Sequence, residues 1–277
     1  WWKAKWRQAV GREARWRQAN RWQAGWRQTC WRWRWRRQAR CRAHRRPAQG
    51  AAARPFRTVT LKLAVFDCDG TLVDGQGAVC SAMEAAFAGT TLPCPDRHQI
   101  RRMVGLSLPQ AVRRLAPDAD DDAVRDVVEG YKRTYRAARE SGELSEPLYD
   151  GIPALLAALQ AAGWTMGVAT GKSDRGLANC LASHGISSHF STLQTADRHP
   201  SKPHPAMLQA ALDEVLALPD QAVMIGDTAY DMAMAVSAGV RPIGVAWGYH
   251  ETAELVQAGA VFVASNVLEL QEYLLEA

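Results

Sequence analysis

The 277-residue chain has no run of 18 apolar residues and no short apolar segment followed by a small-residue cleavage site. It supports neither a membrane span nor a secretory signal, and a cytoplasmic protein is expected. Cysteine is sparse and unpatterned, with six residues at 30, 41, 68, 80, 94 and 180 and no CxxC. Reduced thiols are the expectation. Methionine is missing before Met83, and acid is nearly missing before residue 60, where Glu13 stands against 18 Lys/Arg. Aliphatic residues are almost absent from the same stretch. Like charges without apolar partners build no packed core.

The overall charge of +6 therefore describes neither half of the chain. Residues 1–60 carry a net +17 and nine of the 11 Trp, while residues 61–277 carry a net −11. The first part also repeats: Trp6-Arg7-Gln8-Ala9 returns as Trp16-Arg17-Gln18-Ala19 and Trp26-Arg27-Gln28-Thr29, a period of ten. That period is short for a solenoid, and the unit has no apolar face to stack. A ten-residue period corresponds to a short DNA repeat read in frame. Native translation is expected to start near Val59 or Leu61, leaving residues 1–58 as a Trp/Arg-rich low-complexity tail that is disordered or not natively translated. If the tail is made, its arginines suit nucleic-acid phosphates and its tryptophans suit stacking on bases. An anionic membrane surface would suit it equally.

From residue 61 the pattern is that of a globular α/β domain. Apolar runs at 63–66, 166–169, 222–225, 243–246 and 260–263 have the length and composition of buried parallel strands, with a weaker candidate from Phe190 to Leu193. Helical spacing lies between them, as in Ile152, Leu155, Leu156 and Leu159, and in Met207, Leu208, Ala211, Leu212 and Val215. Alternating strands and helices predict a doubly wound parallel sheet, with ligands beyond the carboxyl ends of its strands. Residues 76–148 break the alternation: they hold helical stripes only, Val79, Met83, Ala86 and Phe87, then Val124, Val127, Val128, Tyr131 and Tyr135. We read them as a small helical domain inserted into a core formed by residues 59–75 and 149–277, and placed to cover a site at the strand ends.

Four stretches carry candidate chemistry. Asp67-Cys68-Asp69-Gly70-Thr71 follows the first apolar run. By strand alternation its two acids point the same way, and two carboxylates that close call for a cation or a proton. Asp and Gly are also ordinary turn residues after a strand. Ala169-Thr170-Gly171-Lys172 offers a hydroxyl and free N–H groups that can hold phosphate oxygens, or a simple helix cap. Ser201-Lys202-Pro203-His204-Pro205 offers a rigidly held ammonium, or a solvated lysine. Gly226-Asp227-Thr228 with Asp231 offers two further acids, with a helix N-cap as the structural alternative for Asp227. Thr170, Lys202 and Asp227 follow Asp67 in that order, mostly at strand ends, at intervals of 103, 32 and 25 residues.

In that order and spacing the chain resembles the haloacid dehalogenase-like hydrolase superfamily, and within it members with a helical cap inserted after the first motif, similar to phosphoglycolate phosphatase. The matching text is DCDGTLVD (67–74), VATGKS (168–173), SKPHP (201–205) and GDTAYD (226–231). The resemblance implies Asp67 as the nucleophile of an aspartyl-phosphate and Asp69 as the acid/base. Thr170, Gly171 and Lys202 would hold the phosphoryl group, with Lys202 also offsetting the charge of Asp67. Mg²⁺ would sit on Asp67, the Asp69 carbonyl and Asp227, with Asp231 behind them. An Asp at position 69 implies phosphate ester hydrolysis over dehalogenation. Arg101 and Arg102 resemble a cap segment that would suit an anionic substrate. The expected protein is a Mg²⁺-dependent phosphatase, monomer or homodimer, acting on a small phosphorylated metabolite, with phosphoglycolate a candidate and no nucleic acid bound through the core. A phosphosugar mutase of beta-phosphoglucomutase type, with the same nucleophile, is the alternative.

Overall fold

The structure, a computed structural model, describes residues 61–276; the expectations for the tail lie outside the described residues. Six parallel strands form one sheet: β1 (Leu63–Phe66), β2 (Thr165–Thr170), β3 (Thr192–Thr195), β4 (Ala222–Gly226), β5 (Arg241–Val245) and β6 (Phe262–Ala264), in the order β3-β2-β1-β4-β5-β6. β1 is central, with Phe66 level with Val168 of β2 and Ile225 of β4. The chain leaves β1 towards β2 and β3, then returns to β4 on the other side. The carboxyl ends of β1 and β4 therefore flank the point where the winding reverses, where ligands bind in open α/β sheets.

The continuous apolar runs reflect burial on both faces. Ala64 and Phe66 of β1 pack with α5 (Ile152–Ala161), whose Ile152, Leu155, Leu156 and Leu159 are fully buried. Leu63 and Val65 face the other way, onto Met207, Leu208 and Ala211 of α7 (Ala206–Val215) and Met234 of α8 (Ala229–Ala238). The helices α6 (Asp174–Ser183), α9 (Thr252–Gln257) and α10 (Val267–Glu276) complete the layers. The first apolar run coincides with β1, and the other strands differ from their runs by a residue or two. The weakest candidate moves most: β3 begins at Thr192, because Ser187–His189 is a short 3-10 turn and Phe190 instead sets its ring edge-on against Phe66, 6.4 Å between centroids.

Between β1 and β2 lie four helices, α1 (Gln76–Ala88), α2 (Arg97–Arg102), α3 (Leu108–Leu115) and α4 (Asp121–Glu140). They share an apolar cluster of their own, including Met83, Phe87, Ile100, Val112, Val124 and Val127. The pairing of α1 with α4 is close enough that a side chain at Gly130 would meet Ala86 at 3.3 Å. Arg102 ties this unit to the α/β layers by a two-pronged salt bridge to Glu254 of α9. No described helix is long and apolar enough to cross a membrane.

Candidate active site

Beyond Phe66 the chain leaves β1 in a tight loop in which Gly70 has φ +83°, and a Cβ there would lie 2.2 Å from a carboxylate oxygen of Asp227. Glycine is needed on both counts. The loop holds Asp67 fully buried: its Oδ1 accepts from the Cys68 N–H at 2.6 Å, and its other oxygen faces Lys202 Nζ at 2.8 Å. Lys202, also fully buried, reaches Asp231 Oδ1 at 2.6 Å. Asp227 accepts from the Thr71 hydroxyl at 2.8 Å and from the Tyr249 N–H at 3.0 Å. It is not a helix cap. That position belongs to Thr228, which forms a reciprocal capping box with Asp231 and so fixes Asp231 at the start of α8.

Carboxylate oxygens of Asp67, Asp227 and Asp231 lie within 4.8 Å of one another, all buried. Three acids against the single ammonium of Lys202 leave two negative charges uncompensated. Burial pushes Asp67 up to about 7, with Lys202 opposing and Asp231 adding to the rise. Burial, then the neighbouring Asp67 and Asp231, push Asp227 well above the ordinary carboxylate range. Burial alone would depress the Lys202 ammonium, but Asp231 and Asp67 outweigh it and raise its pKa. Closely spaced, buried, oxygen-only donors with a charge deficit of two suit a hard divalent cation.

Asp69 takes a different course from Asp67. Its Oδ1 lies 2.9 Å from Lys172 Nζ, which also reaches Glu146 Oε1 at 2.6 Å. The Tyr135 hydroxyl donates to the same Glu146 oxygen, and Arg139 lies 3.7 Å from the other. Burial raises the Asp69 pKa, Lys172 pulls it down, and Glu146 adds to the rise. The two acids of the first motif therefore have one lysine each. Neither the Lys172 ammonium nor Glu146 is marked as a site residue by the sequence. Lys172 stood beside Thr170 in a stretch read as a helix start, and only the structure shows its side chain turning back. Glu146 sits in a connection without periodicity, 77 residues from Asp69, and nothing local marks it.

Thr170 ends β2, buried, and its hydroxyl accepts from the Lys172 N–H at 3.3 Å. The cap of α6 is Ser173, so Thr170 is not bound up in a helix cap. A Cβ at Gly171 would meet the Leu106 carbonyl oxygen at 2.4 Å, so this loop lies directly against the turn between α2 and α3. Asp69, Thr170, Gly171 and Lys172 form one end of a cavity of about 390 Å³ whose remaining wall comes largely from α1, the α2–α3 turn, α3 and α4. Arg101 does not line this cavity; it is half-buried near the Cys80 thiol. His199 pairs with Gln194 at 2.7 Å and His204 accepts from the Ala206 N–H at 3.2 Å, both explained by local hydrogen bonding.

Comparison with known proteins agrees with this geometry. The family model described as haloacid dehalogenase-like hydrolase matches residues 64–245. A probable phosphatase, IndB, of Dickeya dadantii is 36% identical over 211 residues, 75% of this chain and 91% of that protein. A phosphoglycolate phosphatase of Rhodospirillum rubrum is 31% identical over 222 residues, 77% of this chain and 90% of its own. The crystal structure of a predicted phosphatase from Clostridium acetobutylicum superposes with a TM-score of 0.71 at 26% identity, covering 78% of this chain and 99% of that one. The chain belongs to the haloacid dehalogenase-like hydrolases, as an enzyme of their phosphatase type.

Proposed function

We propose that the protein is a Mg²⁺-dependent phosphatase that hydrolyses a small phosphorylated metabolite through a phosphoryl group carried on Asp67. The observation that carries this reading is the buried Asp67 carboxylate at the end of the central strand, held by Lys202 and flanked by Asp227 and Asp231. Asp67 attacks phosphorus in line, the bond from phosphorus to the leaving oxygen breaks, and Asp69 gives that oxygen its proton. Water then attacks the phosphoryl group, Asp69 takes the water's proton, and Asp67 departs as a carboxylate with inorganic phosphate released. Burial raises the Asp69 pKa, in the direction that a proton donor near neutral pH requires. Thr170 and the loop at Gly171 hold the phosphoryl oxygens, and Lys202 offsets the charge of the attacking carboxylate.

Asp67, Asp227 and the Asp69 carbonyl would hold Mg²⁺, with Asp231 supporting them from behind. When bound, the ion supplies positive charge against the phosphoryl oxygens. The four helices between β1 and β2 act as a cap that keeps bulk water from the phosphorylated carboxylate.

Relatives named phosphoglycolate phosphatase make 2-phosphoglycolate the first substrate to try. The test is a panel of small phosphoesters with and without Mg²⁺, on the wild type and on Asp67→Asn. Turnover is expected to disappear in the variant and in chelator. Undiminished hydrolysis by Asp67→Asn would overturn the reading, and conversion of a hexose 1-phosphate to its isomer without phosphate release would assign the mutase reaction instead.

A further inference from the structure

The cavity that opens from Asp69 is larger and more apolar than a two-carbon leaving group requires. At about 390 Å³ it falls within the roughly 300–1,000 Å³ of sites that hold drug-sized ligands. It meets the phosphoryl site at Asp69, Thr170 and Gly171, whereas Asp67 and Lys202 are not part of its wall. It therefore begins on the side where the proposed acid meets the leaving oxygen. Val79, Met83, Val104, Leu106, Leu108 and Ala111 supply an apolar wall. The close seating of Gly171 under the Leu106 carbonyl sets that wall directly above the phosphate-holding loop.

The cations of the cavity are badly placed for a small second anion. Lys172, on the inner wall, is committed to Asp69 and Glu146, and the half-buried Arg139 faces the other Glu146 oxygen at 3.7 Å. Lys132, Arg136 and Arg175 are exposed. Exposed cations of this kind attract a phosphate dianion from solution but leave the apolar wall unsatisfied by a glycolate.

We propose that this cavity is a leaving-group pocket for a phosphomonoester with an extended apolar body, aliphatic or aromatic. The proposal rests on the phosphatase reading for its chemistry, and its test separates the two. Binding of ethylphosphonate and hexylphosphonate, which have no ester oxygen to cleave, is measured by calorimetry on the full chain with Mg²⁺. Hydrolysis of ethyl and hexyl phosphate is measured in parallel. These esters have similar leaving groups and differ only in chain length.

Affinity and kcat/KM are expected to rise about fourfold per added methylene, roughly 250-fold over the four from ethyl to hexyl. Ala111→Phe fills the pocket and Leu108→Glu places a charge on its wall without overfilling it. Each is expected to remove most of the hexyl advantage, read as the ratio of hexyl to ethyl values in the same variant. Equal affinity for the two phosphonates, or a better kcat/KM for phosphoglycolate than for hexyl phosphate, would overturn the pocket. Chain-length-dependent binding with no hydrolysis of any ester would uphold the pocket and overturn the phosphatase reading.

Discussion

Replacing Lys202 by methionine tests the electrostatics of the site without altering any acid. The Nζ atom is fully buried, 2.8 Å from Asp67 and 2.6 Å from Asp231, so one substitution leaves two buried carboxylates without their shared cation. Removing one partner of a buried ion pair costs about 3–5 kcal/mol, because the remaining charge is stranded in a medium of low polarity. For a domain of this size that is a fall in Tm of about 6–20 °C.

The cost depends on pH with a definite sign. Burial already raises Asp67 to about 7, and Lys202 is the strongest influence holding it down. In the variant the folded-state pKa rises further above the unfolded value. The native state then takes up a proton that the unfolded state lacks, and stability falls as pH rises through the folded pKa. Urea unfolding in chelator should therefore show a larger loss at about pH 8 than at about pH 5.5. Added Mg²⁺ should recover part of it, since a cation that binds only the folded state stabilises it. A loss below about 1 kcal/mol at the higher pH, or one independent of pH, would refute the reasoning.

Two further outcomes follow from the network around the site. Contacts of 2.9 and 2.6 Å through Lys172 place the Asp69 and Glu146 oxygens at most about 5.5 Å apart, where their repulsion is roughly 3 kcal/mol at an effective dielectric of about 20. Glu146→Gln removes that repulsion, so the alkaline limb of the kcat/KM profile should move about 1–2 pH units lower, with an unmoved limb as the contrary result. The Arg102 hydrogen bonds lower Glu254 to about 2, so this bridge between the helical unit and α9 stabilises the fold above the ordinary pKa of 4.5 and is lost as pH falls towards 2. Its half-exposed position limits the effect to about 1 kcal/mol; Arg102→Met should flatten the acid limb of urea stability by that amount, and an unchanged limb would count against the bridge.

The sheet was legible because its strands are buried on both faces, so LAVF, MGVA and AVMI stand out as unbroken apolar runs without help from distant sequence. The acids at their ends were legible only in combination: Asp67 and Asp69 alone also fit a turn, and Thr170, Lys202, Asp227 and Asp231 in one order are what mark a site. The partners of these residues were less legible. Thr228 as the cap beside Asp227 could have been found from the Thr-x-x-Asp pattern of TAYD (228–231). Glu146 could not, because its relation to Asp69 exists only through Lys172 and Tyr135, three segments that meet in space and share no spacing. Arg101 shows the opposite failure: a basic pair beside an expected pocket looks like an anion site, yet helix geometry turns Arg101 away from the cavity and spends Arg102 on Glu254.

In the proposed reaction Asp67 carries the phosphoryl group between substrate and water. Rapid quenching of Mg²⁺-loaded enzyme during turnover of a radiolabelled phosphoester, followed by peptide mapping, tests it directly. Hydroxylamine-labile phosphate is expected on the peptide containing Asp67, with neither label nor turnover in Asp67→Asn. Label on another residue, or full turnover by Asp67→Asn, would contradict it.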